Sequence, residues 1–207
     1  MAFQKDYVLR LIEMMGDFLR RLKMIGQEWQ RDMEINMLCR DQCGLSLDAA
    51  EGLSEETLME LLPPRGLLTL SELMYLRAEA VAMDELARQR LYLRTLRLLS
   101  SLHEEETLCE ERGVRLRKLM DLCGEEMEIS DYLSCARFFL SGERLTDCED
   151  AIFMAVELAR EPGDVIREGR GLLMAMLQLP DSALILAGMP RQDVIRAIED
   201  LEAWEIT

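Results

Sequence analysis

The chain reads as an all-α protein of antiparallel helical hairpins, and three observations carry that reading. Leu and Met supply much of the apolar content (15 Met in 207 residues), while aromatics make up only 5%. That balance favours helix formers over sheet formers. Apolar residues recur at spacings of three and four, and no segment alternates cleanly at period two. Helix-stopping Gly and Pro and helix-starting Ser, Thr and Asp punctuate the chain about once per helix.

The first element is the most informative. Val8, Leu11, Met15, Phe18, Leu22, Ile25 and Trp29 alternate at three and four residues, the seam of one long helix from about 4 to 26. Ile12 and Leu19 widen the seam into an apolar face too broad to leave in water. The opposite face carries Lys5, Arg10, Arg20, Arg21 and Lys23 in a chain of formal net charge -16. The helix bends near Gly26 and continues to Cys43, where Gly44 is a natural terminator. Residues 1–44 therefore form an N-terminal amphipathic segment, and 45–207 a helical-hairpin domain.

Two short helices fit 45–62, the second capped by Ser54 with Glu55 and Glu56 in its first turn. Pro63-Pro64 and Gly66 break the chain. A helix then runs from Leu70 to about Met83, and Asp84 caps the next, to about Glu106. A further helix spans 108–123 and stops at Gly124. Ser130 caps one to Ser141, and Thr146 opens another to Arg160. After Pro162-Gly163, Asp164 opens a helix to Leu179. Asp181 caps a short one to Ala187, and the last spans about 191–204 behind Pro190. Two stretches fit loosely to the turn and second helix of a tetratricopeptide repeat: Ala82 to Leu91, and Gly142 to Pro162.

The opening Asp6-Tyr7-Val8-Leu9-Arg10-Leu11-Ile12-Glu13 resembles the start of a family of uncharacterised helical proteins from Gram-positive bacteria, with the pattern Asp-Tyr-x-x-Arg-x-Ile-Glu. The stretch from Gly44 to Leu62 and on through Leu70 to Leu99 is similar to that family's middle. The likeness covers about half the chain. It implies bacterial cytoplasm and a tetratricopeptide-like stack of hairpins, and it implies no chemistry.

Function is narrowed mostly by exclusion. The acidic balance, with a pI near 4.5, repels phosphate and argues against nucleic acid as a partner. Six cysteines lie mostly within Leu/Met-rich helical patterns, as reduced thiols of a cytoplasmic protein would. Every apolar run is cut by a charge before it reaches membrane-spanning length. Asp6, Glu13 and Asp17 on the first helix argue against a membrane surface. His103 is the single histidine. A site of His103, Glu106 and Cys109 matches no familiar zinc spacing, and no nucleophile elbow or phosphate loop is present. Gly169 and Gly171 are read as close-packing glycines. Cys39 and Cys43 share a helix face, near enough for a transient disulfide.

No catalytic, cofactor-binding or metal-binding residue is assigned, and no cofactor is expected. The seam Val8, Leu11, Met15, Phe18, Leu22, Ile25 and Trp29 is the candidate partner surface. It has three possible fates: packing on the chain's own helices, pairing with a second copy in a homodimer, or binding another protein or an anionic membrane. The expected role is a non-enzymatic protein–protein interaction scaffold that self-associates. The alternative is a ligand or thiol-redox sensor using Cys39 and Cys43 or a Met-lined groove.

Overall fold

The computed structural model describes residues 2–204, with side chains described over 7–105 and 108–204. Among the described residues it is all-helical, with twelve α-helices and no strand. Two compact units divide the chain. The first comprises residues 1–102 and 118–125, and the second 103–117 and 126–207. No boundary falls at residue 44: the expected N-terminal segment belongs to the first unit, because its helices pack on those that follow.

The first unit is arranged around α5 (Pro64–Ala80), against which α1 (Ala2–Met24), α2 (Glu28–Cys43), α3 (Leu47–Glu51), α4 (Glu55–Leu61) and α6 (Glu85–Ser100) all pack. Every residue from 67 to 76 is buried, Thr69, Ser71 and Glu72 among them. Thr69 Oγ1 donates to the Arg65 carbonyl at 2.9 Å and Ser71 Oγ to the Leu68 carbonyl at 2.8 Å. These backbone bonds let the hydroxyls enter the core.

The start of α5 corrects the expected break at Pro63-Pro64. Pro63 is the N-cap and Pro64 the first helical residue. Proline suits that position because its missing N–H is one the first turn leaves unpaired anyway. Ser54 and Asp84 cap α4 and α6 as expected, accepting from the amides of Thr57 and Ala87. Ion pairs tie the short helices down. Arg77 of α5 meets Asp32 at 2.8 Å, Asp48 at 2.9 Å and Glu51 at 2.6 Å. Arg94 of α6 donates to the carbonyls of Ala50, Glu51 and Leu53 at the end of α3.

In the second unit, α8 (Ile129–Ser141) and α9 (Leu145–Leu158) form a tight hairpin, and α10 (Gly163–Met176) packs on both. The short α11 (Asp181–Leu186) and then α12 (Arg191–Ala203) follow, with α12 lying along α10. The long α7 (Glu106–Cys123) gives residues up to Arg117 to this unit and its end to the first. Glu128, not Ser130, caps α8. Its side chain and that of Asp131 each accept from the other's backbone amide, a reciprocal arrangement that out-competes one hydroxyl. Arg191 closes the end of α10, donating to the Leu177 and Leu179 carbonyls at 2.7 and 2.9 Å.

Gly169 and Gly171 of α10 differ. A Cβ on Gly169 would stand 2.5 Å from Cγ2 of Ile152, a fully buried residue of α9, whereas a Cβ on Gly171 meets nothing within 4 Å. Only Gly169 is a close-packing glycine. Gly169→Ala is expected to destabilise the protein by about 1–3 kcal/mol through overpacking. Gly171→Ala is expected to stabilise it by about 0.5–1 kcal/mol, since it removes the helix penalty of glycine. Urea unfolding of the two variants beside the parent checks both signs. Equal effects would contradict the packing assigned to Gly169.

Candidate functional site

The amphipathic face of α1 is real, but it is consumed within the chain. Val8, Leu11, Met15, Phe18 and Leu22 are each buried, packed toward α5. These five therefore offer no surface to a partner, which corrects their assignment as docking residues. The physical reason is that α5 is buried around its whole circumference over residues 67–76 and takes the broad apolar stripe of α1 as part of its cover. Ile25 is half-buried and Trp29 stays exposed. On the cationic face, Arg20 pairs with Asp17, and the Arg21 guanidinium lies 5.4 Å from the Phe18 ring centroid. Lys5 and Asp6 lie outside the described side chains.

The helix that follows carries the site. α2 buries only Ile35 and Cys39. Polar contacts hold much of the rest. Asp32 takes Arg77, Arg31 donates to the Ile25 and Ala80 carbonyls at 2.8 and 3.1 Å, and Asn36 accepts from the Asp48 amide at 3.2 Å. Trp29, Met33 and Met37 repeat at four-residue intervals on another face, 61%, 45% and 54% exposed, and Met24 before them is 87% exposed. Scattered exposed apolar residues are ordinary, but a helical stripe of them marks a surface suited to contact. Trp with flexible Met neighbours is a composition that adapts to a partner.

The buried face of α2 also carries the thiol pair, since Cys39 follows Ile35 by one turn. Cys39 and Cys43 stand one turn apart, and Cys43 Sγ donates to the Gly66 carbonyl at 3.6 Å. Cys39 is wholly buried and Cys43 partly exposed. The neighbouring Cys39 thiol holds the Cys43 thiol below its ordinary range, and Cys43 together with burial pushes Cys39 upward. Cys109, Cys123, Cys135 and Cys148 are buried and in no disulfide.

Two further polar features were not foreseen in the sequence. Tyr75, Glu79, Tyr92 and Lys118 form a network in the first unit. Lys118 Nζ donates to Tyr75 Oη at 2.5 Å, and Tyr92 Oη donates to Glu79 Oε1 at 3.1 Å. Burial, then the charge and bond of Glu79, push the Tyr92 phenol upward, so it stays a donor. These residues are 43 positions apart at the extremes, a separation that no local pattern encodes. Beside Glu79 lies a recess of about 110 Å³ lined by Leu19, Leu22, Lys23, Arg31, Glu79 and Ala80. It is smaller than the roughly 300–1,000 Å³ of an ordinary ligand pocket, and no methionine lines it.

His103 is half-buried in the turn before α7, and Cys109 is buried on α7. The side chain of Glu106 lies outside the described residues. Among the described residues no group of three His, Cys, Asp or Glu is placed to hold a metal ion. No described helix is long and apolar enough to cross a membrane.

The acidic charge is not all on solvated faces. Glu149 on α9 is half-buried, and burial together with Asp150, Asp193 and Asp200 raises its pKa. A raised carboxylate favours the protonated fold, so its stabilising effect is present at low pH and lost as pH rises through the folded value. Glu149→Gln is therefore expected to stabilise the protein at neutral pH by at most about 1 kcal/mol, after solvent screening. The gain should shrink to nothing below roughly pH 4, where unfolded glutamate is itself protonated. Thermal unfolding of the variant and parent from pH 3 to 8 reads this directly. A gain that persisted at pH 3 would assign the effect to something other than titration. Comparison of the chain with protein-family models, with curated proteins and with solved structures finds no match.

Proposed function

We propose that this protein is a non-enzymatic helical docking module that self-associates through α2, in a cytoplasmic setting. The observation that carries the reading is the exposed stripe Trp29, Met33 and Met37, on a helix held in place by polar contacts that do not need it. The stripe is evenly spaced about Met33. Antiparallel pairing across a two-fold axis sets Met33 against its symmetry mate and Trp29 against Met37 in each half, as an isologous contact requires. Its few side chains fall short of the roughly 800 Å² per partner of a standard interface, so the association is reversible and concentration-dependent. The hairpins α5–α6 and α8–α9 are read as tetratricopeptide-like, and α5 of the first supports α2. Six cysteines outside any disulfide suit a reducing compartment.

Sedimentation velocity over a broad concentration series tests the reading. The parent is expected to shift from monomer toward dimer. Met33→Glu, which sets two carboxylates face to face at the axis, is expected to weaken the dimer at least about tenfold, equivalent to about 1.4 kcal/mol. In a Trp204→Phe background Trp29 is the sole tryptophan, and its emission should move to shorter wavelength as the dimer forms. A parent that stays monomeric throughout, or a Met33→Glu chain that dimerises like the parent, overturns the proposal.

A further inference from the structure

Cys43 and Cys39 present an asymmetry that a pair of incidental thiols does not need. Cys43 is the last residue of α2 and is the cysteine that reaches solvent, whereas Cys39 has no exposed surface. The two side chains stand one helical turn apart on α2. One cysteine is partly exposed, and the other is buried one turn before it.

From this geometry we infer that α2 carries a thiol–disulfide exchange site, with Cys43 as the attacking sulfur and Cys39 as the resolving sulfur, acting on low-molecular-weight disulfides. The lowered pKa of Cys43 gives it more thiolate than Cys39, whose thiol keeps its proton until the second step. The Cys43 thiolate attacks one sulfur of the reagent, R–S–S–R. The Cys43–SR bond forms, the reagent's S–S bond breaks, and the departing RS⁻ takes up the proton that Cys43 released. The Cys39 sulfur then attacks the Cys43 sulfur. The Cys39–Cys43 bond forms, the Cys43–SR bond breaks, and the second RS⁻ takes up the proton from Cys39. The protein loses two hydrogens, and the disulfide is reduced to two thiols.

The helix sets a condition on the second step. Residues four apart on a regular helix keep their Cβ atoms about 5–6 Å apart, whereas a disulfide brings them to about 3.5–4.5 Å. Closing the bond therefore draws in the final turn of α2. That turn is the one best able to move, because the chain reverses at once through Gly44 in the left-handed conformation, with φ 78°. A thiol pair in mid-helix would have no such freedom. The site lies on a different face from the Trp29–Met37 stripe, so its chemistry does not depend on the docking reading.

The test treats the folded, reduced full-length chain with oxidised glutathione at neutral pH and follows intact mass and proteolytic peptides. The parent is expected to lose two hydrogens, located in a Cys39–Cys43 bond, with little glutathione retained. Cys39→Ala keeps a small apolar group in the core and is expected to stop at one glutathione on Cys43. Cys43→Ser should be inert while folded. Iodoacetamide on the folded parent should label Cys43 at least about tenfold faster than the other five cysteines, a readout that needs no variant to fold. Glutathione accumulating on Cys43 of the parent without an internal bond removes the resolving role of Cys39. Faster labelling of another cysteine, or a disulfide between two chains, overturns the site.

Discussion

The first unit depends on one constraint: α5 is buried on every side. From 67 to 76 no residue reaches solvent, and an apolar side chain in that position is worth about 1.5–3 kcal/mol when taken out of water. A helical stretch in which ten consecutive residues need cover cannot lie on a surface, so the chain must surround residues 67–76. Five other helices touch it. The broad face of α1, the ion pairs of Arg77 and the carbonyl clamp of Arg94 all follow from that need. The short α3 and α4 lack the length to hold themselves helical, and the arginines of the longer helices fix them where cover is required.

This explains which parts of the structure were legible in the sequence. The all-helical class, the seam of α1 and the caps at Ser54 and Asp84 are local signals, and the structure keeps them. The destination of the seam is not a local quantity. An apolar face dictates burial but does not name its cover, and the cover here begins 40 residues beyond the end of α1. The central helix was itself half hidden. Thr69, Ser71 and Glu72 look like surface residues, and Pro63-Pro64 looks like a break, so the predicted helix began six residues late. Hydroxyls that bond back to the preceding turn cost little in a core, which is why a polar letter misleads there.

Two glycines of α10 teach the same lesson at atomic scale. Gly169 and Gly171 are two positions apart in one helix and look alike as letters. Their directions differ by about 200° around the axis, so one faces Ile152 and the other open space. The thiol pair was legible because its spacing alone brings the sulfurs together. The network of Tyr75, Glu79, Tyr92 and Lys118 was not, because it is assembled from α5, α6 and α7 by tertiary packing.

The same reasoning separates α2 from its neighbours. A helix held by its apolar face leaves its polar face to water, as α1 does. α2 inverts this. Its anchors are Arg31, Asp32 and Asn36, its buried residues are Ile35 and Cys39, and Trp29, Met33 and Met37 point away. Those three side chains contribute little to the fold that carries them, yet they are residue types whose exposure to water is costly. Replacing one of them with a polar residue would remove apolar surface from water without disturbing a single anchor. A stripe with no structural task, on a helix pinned independently of it, is what a contact surface looks like before its contact is made. The covered seam of α1 has the opposite character: it has a structural task, and that task accounts for all five of its buried side chains.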